Sequence, residues 1–158
     1  MTRFNVRGID LNRGWETNKP IDPELCPENY CLQNWLTERQ RQNKLPKLTI
    51  CFHNDAQGNL HFTHLNNAPK GYPERMRTFE ELLTEMTWFT EGSVSPEAHN
   101  PGSFGDGLCA IYGIDAFIFE LKAIHAEGLG HSPLGSDWIQ LGKDFVDVIR
   151  EYFNQVNK

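Results

Sequence analysis

The chain has 158 residues and is most informative in what it lacks. It has no G-x-x-x-x-G-K-[ST] phosphate loop and no G-x-G-x-x-G following a strand, and neither G-x-S-x-G nor H-E-x-x-H occurs. No cofactor is therefore expected. No apolar run reaches the roughly 20 residues that a bilayer-spanning helix needs, because Asp115, Glu120, Lys122 and His125 break up the one long candidate. The first residues, MTRFNVRGIDLNRG, have no apolar core region of the kind a secretory signal carries. A cytoplasmic chain with no membrane partner is expected, with Cys26, Cys31, Cys51 and Cys109 as thiols rather than disulfides.

Basic residues are scarce in the second half. Residues 78–158 carry four Lys and Arg against thirteen Asp and Glu, whereas residues 1–77 carry eleven against eight. An acidic late segment repels phosphate backbones and attracts cationic proteins, so no nucleic acid and a basic protein partner are expected.

What is present suits a folded globule: 39% apolar residues, 11% aromatic, and enough length for one self-sufficient core over residues 1–158. Phe4 and Val6 alternate with polar neighbours as in a short strand. From Glu28 to Gln42, Cys31, Leu32, Trp35 and Leu36 form an apolar helical stripe that Pro46 brings to an end. Leu48–His53 and Leu60–Leu65 alternate around a Gly58-Asn59 turn and predict a hairpin. Placing its apolar side chains on one face sets Phe52 opposite Phe62, His53 opposite His61 and Cys51 opposite Thr63, with His64 on the apolar face. Thr78 and Glu81 have capping-box spacing ahead of Phe79, Leu82, Leu83, Met86 and Phe89. Ser136 predicts the start of a last helix bearing Trp138, Leu141, Phe145, Val148, Ile149, Tyr152 and Val156.

The stretch 105–130 is the most apolar part of the chain. Leu108, Ile111, Ile114, Phe117, Ile118, Leu121 and Ile124 recur at helical steps, and a helix interrupted at Gly113 and stopped at Gly128 is the favoured reading. A strand at 117–121 is the alternative; Ile118, Glu120 and Lys122 would then share one face. Together these signals predict an α+β domain, a small antiparallel sheet containing the 48–65 hairpin, covered by three or four helices.

Two sets of residues could carry cysteine or metal chemistry. Asp106-Gly107-Leu108-Cys109, after a sixteen-residue irregular stretch from Gly92 to Gly107, would make Cys109 a nucleophile if it sat in the first turn of a helix. Over those four residues the run resembles the nucleophile segment of ovarian-tumour-type deubiquitinases. The resemblance implies a partner histidine well downstream and followed by an aromatic. Only His125 and His131 follow Cys109, neither before an aromatic, so an upstream order such as that of SUMO-protease-like enzymes would make His61 or His53 the partner. Cys51, His53 and His61, with Cys26 and Cys31 in a C-x4-C spacing, offer ligand types that zinc accepts.

The leading functional expectation is a protein-binding or inhibitory module: a toxin-neutralising immunity protein, or an inhibitor of a nuclease or defence enzyme, working through an acidic surface. Its contacts would come from Glu80, Glu81, Glu85, Glu91, Glu97 and Asp106, with Trp88 or Trp15 as anchors. The alternative is a cysteine-dependent hydrolase or transferase using Cys109.

Overall fold

The computed structural model describes residues 4–63, 66, 68–94 and 102–157. The chain forms α1 (Pro27–Arg41), β1 (Leu48–Asp55), β2 (Leu60–Phe62), α2 (Tyr72–Met86), β3 (Ser93–Val94), α3 (Phe104–Tyr112), β4 (Asp115–Lys122) and α4 (Gly135–Val156). Among the described residues, four helices with a four-stranded sheet make this an α+β protein. The sheet is mixed rather than purely antiparallel, since β2 and β3 run parallel with Leu60 beside Ser93 and His61 beside Val94. Among the described residues no helix is long and apolar enough to cross a membrane. The chain divides into two compact units, Met1–Cys51 with Thr63–Pro69 and Pro96–Phe117, and Phe52–Phe62 with Lys70–Ser95 and Ile118–Lys158.

In the first unit, α1 opens at Pro27, whose missing N–H costs nothing at a helix start. It ends at Gln42, before Pro46, because Asn43 turns into the left-handed region at φ 54°. Its supposed apolar stripe is largely outward: Leu36 is buried, whereas Cys31 and Trp35 are exposed and Arg39 lies 5.3 Å from the Trp35 ring. Helix α3 begins at Ser103, whose Oγ accepts the Asp106 N–H, and stops at Gly113, where φ is 67°. Trp15 is interior rather than an exposed anchor; its ring meets Phe104 edge-on at 5.0 Å. Gly107 is fixed by that packing, because a Cβ there would lie 2.3 Å from the Trp15 Cβ. The Phe4–Val6 strand is reduced to a single bridge between Phe4 and Asp10.

In the second unit, α2 begins at Tyr72, behind Gly71 and with Pro73 in its first turn, not at Thr78. The capping-box reading fails because Thr78 already lies within the helix, donating its hydroxyl to the Glu74 carbonyl. Tyr72, Met76, Phe79, Leu82 and Leu83 form the buried stripe. Helix α4 starts at Gly135, one residue before the expected cap, and the Asp137 carboxylate accepts the Leu134 N–H at 2.7 Å. The α2 and α4 helices join through Phe79, whose ring lies 5.8 Å from Phe145 and 5.6 Å from Tyr152. Phe119 extends the aromatic cluster to Phe89 at 5.2 Å and Phe145 at 5.8 Å.

Two expectations about the middle of the chain are corrected. Residues 105–130 are not one interrupted helix: after α3 the chain turns at Gly113 and continues as the strand β4. Nor do residues 48–65 form a hairpin, because the strand order is β1-β4-β2-β3 and β4 lies between the two predicted partners. The physical cause is the same for both. DAFIFELK is rich in strand-favouring aromatic and β-branched residues, and its first three residues with Phe119 are buried, as befits an inner strand. His53 therefore does not face His61 across a single ladder, and His64 lies outside the described residues.

Candidate metal centre

Strand alternation sorts the second unit's side chains. Phe52 and Phe119 turn to the aromatic cluster, their rings 5.8 Å apart, and the residues one step along each strand, His53 and Glu120, take the opposite face. On that face β1 supplies His53 and Asp55, β4 supplies Glu120 and β2 supplies His61. One ligand atom each from Asp55, His61 and Glu120 lies within 4.8 Å of the others, and all three residues are half-buried.

Each position has a local cause. The Asp55 Oδ1 accepts the N–H groups of Gln57 (2.9 Å) and Gly58 (2.6 Å), so the turn after β1 holds the carboxylate in place. Gly58 has φ 78°, and a side chain there would strike Lys122 with its Cβ 2.6 Å from the lysine's own. The β4 backbone is tied on both sides: Glu120 N–H donates to Asn59 O at 3.1 Å, and Ala123 N–H donates to Asp55 O at 2.8 Å. Beyond Glu120, Lys122 pairs with Glu91 at 3.3 Å, with both side chains largely out of solvent.

The electrostatics centre on Glu120. Burial pushes its carboxyl above the usual carboxylate range, Asp55 pushes the same way, and His53 and His61 oppose them. Its Oε2 is buried without a hydrogen-bond partner among the described residues. An oxygen so placed gains from a proton or a cation.

Donors bound tetrahedrally to one ion at about 2.1 Å stand about 3.4 Å apart, so adjustments of about 1 Å, within reach of side-chain rotamers, would bring this set onto a zinc-sized ion. One imidazole and two carboxylates match zinc's preferences, and the unsatisfied Glu120 oxygen fits that use. Asp55 and Glu120 escaped the sequence reading. The available signal was an acidic residue inside the apolar run FIFEL, visible only when that run is read as a strand.

The other expected site residues lie outside this donor set. Cys109 falls in the second turn of α3, beyond the reach of the free N–H groups at its start. Its Sγ lies 3.3 Å from Thr63 Oγ1 and 3.7 Å from Ala116 O, and burial pushes the thiol up to about 11. Cys51 belongs to the first unit, whereas His53 and His61 belong to the second. Glu80 accepts the N–H and hydroxyl of Ser93, both at 2.8 Å. Glu80, Glu81 and Glu85 together line a shallow groove on α2 with Arg77 and Thr84. Trp88 lies against Trp138 at 5.2 Å, Glu91 is the buried partner of Lys122, and Asp106 is buried in α3. Glu97 lies outside the described residues.

No family model matches the sequence, and no curated protein matches it. In fold the chain is similar to a metallo-carboxypeptidase from Pseudomonas aeruginosa, solved in complex with (2-guanidinoethylmercapto)succinic acid. The TM-score is 0.69 at 21% sequence identity, over 96% of this chain and 41% of that one. The chain thus spans less than half the length of its structural neighbour. This likeness overturns the expectation of an immunity protein or inhibitor acting through an acidic surface: the fold is one shared with a metallo-carboxypeptidase.

Proposed function

We propose that this chain contributes to a metal-dependent peptidase, with Asp55, His61 and Glu120 holding the ion and a peptide as substrate. The observation that carries the reading is the convergence of these three donors on one sheet face, within 4.8 Å, in a fold shared with a metallo-carboxypeptidase. When bound, the ion would polarise a peptide carbonyl and lower the pKa of a coordinated water. The chain's own residues have separable tasks. Asp55 is fixed by its turn, which favours it as a preorganised ligand. Glu120 brings a carboxylate oxygen that is buried without a hydrogen-bond partner among the described residues, a partner the ion would supply. His53 contributes positive charge in its protonated form and steadies the ionised carboxylate. The free thiols of the four cysteines suit a reducing compartment, and we place the protein in the cytoplasm.

Isothermal titration of zinc into the chain tests the reading. One ion per chain is expected, with affinity reduced at least about tenfold in each of Asp55→Asn, His61→Ala and Glu120→Gln. Absence of binding, or affinity unchanged in all three variants, refutes it.

A further inference from the structure

The sheet has two edges of very different character. At one end β3 is only two residues long, and shortness is a common means of blunting an edge. At the other end β1 is eight residues long, LTICFHND, with neither proline nor glycine and with its single carboxylate at the last position. Asp55 O accepts the Ala123 N–H, so the backbone groups of Asp55 point toward β4. By alternation, those of Phe52 and Asn54 point the other way, where the sheet has no further strand among the described residues. Both residues are exposed, Phe52 by 54%. A long strand left open in this way is a template for pairing.

From this open edge we infer that β1 is completed by a strand from polypeptide outside these 158 residues, belonging to the remainder of the carboxypeptidase-type fold. The neighbour supplies the reason to prefer that occupant: 96% of this chain corresponds to only 41% of that one, so a protein sharing this fold carries further polypeptide beside the matched part. The added strand would bond to the outward groups of Phe52 and Asn54 and cover the Phe52 ring. This inference rests on the fold likeness and the strand order, not on the metal, so zinc binding can succeed or fail independently of it.

Amide exchange followed by NMR tests it, on the chain alone and with the part of the Pseudomonas aeruginosa metallo-carboxypeptidase that lies outside the matched 41%. Alone, the chain should run as a monomer, with the Phe52 and Asn54 amides exchanging within about tenfold of unstructured rates while β4 amides are protected. The added polypeptide should slow those two amides at least about tenfold, and Asn54→Pro, tolerated where the N–H faces an open edge, should abolish the gain. Three results overturn the inference: protection of both amides in the monomer, meaning the edge is closed by the chain itself; protection that appears with dimerisation, meaning a second copy occupies it; or no slowing on mixing.

Discussion

Alkylation of Cys109 separates a cysteine enzyme from the metal-centred reading. Burial pushes the thiol up to about 11, and its hydrogen bonds with Thr63 and Ala116 lower it by less than burial raises it. At pH 7 its thiolate fraction is then about 10⁻⁴, against about 3 × 10⁻² for a free cysteine near 8.5, so iodoacetamide should react roughly 300-fold more slowly even before access is considered. The side chain is also interior, which slows reagent entry further. The assay is a time course at pH 7 with mass mapping of the labelled peptides, using the exposed Cys31 as internal reference. Cys109 labelling as fast as Cys31 in the folded protein would refute both the buried environment and the exclusion of a thiolate nucleophile. The same shift has a stability consequence. A thiol whose folded pKa is raised contributes stability that is intact below the unfolded value near 8.5 and is lost as pH climbs toward 11, about 3 kcal/mol in all.

Other outcomes follow from particular contacts. Because burial raises the Glu120 carboxyl, its contribution to apo stability is fullest in acid and declines as pH rises through the folded pKa; Glu120→Gln should raise the melting temperature of the metal-free chain at pH 7. The same variant should lose at least about half of the zinc-induced stabilisation, which is about 2.7 kcal/mol for the unaltered chain at a hundredfold excess over Kd. Lys122→Ala would leave the Glu91 carboxylate buried without its counter-charge and should cost about 3 kcal/mol in urea denaturation, whereas a loss below about 0.5 would mean the pair is solvated. Gly107→Ala would force a Cβ to within 2.3 Å of Trp15 and should destabilise by about 1–3 kcal/mol, read by the same denaturation together with Trp15 fluorescence.

The fit between sequence and structure differs from element to element for physical reasons. Helix α1 was legible from local apolar spacing even though most of that stripe faces outward, and α4 because its apolar positions recur over about five turns. The α2 stripe was equally plain, but its start was misplaced, since Gly71 and Pro73 look like loop residues until a helix is seen to begin on them. Residues 105–130 defeated the reading because seven apolar residues satisfy helical spacing whether or not the chain turns at Gly113. The left-handed turn at that glycine decided it. For the candidate site, His61 and His53 were singled out by residue type, whereas Asp55 and Glu120 were not.

The amino-acid order alone determined that the chain would fold as α+β, because hydrophobic periodicity and helix-start residues act over a few neighbours. Which strands lie side by side was decided only by tertiary structure. Inserting β4 between β1 and β2 depends on burying Phe117 and Phe119 in a sheet interior, a gain that no local pattern records. That same insertion carries Glu120 to Asp55 and His61 from 59 to 65 residues away in sequence, and the donor set exists only once the three strands have assembled.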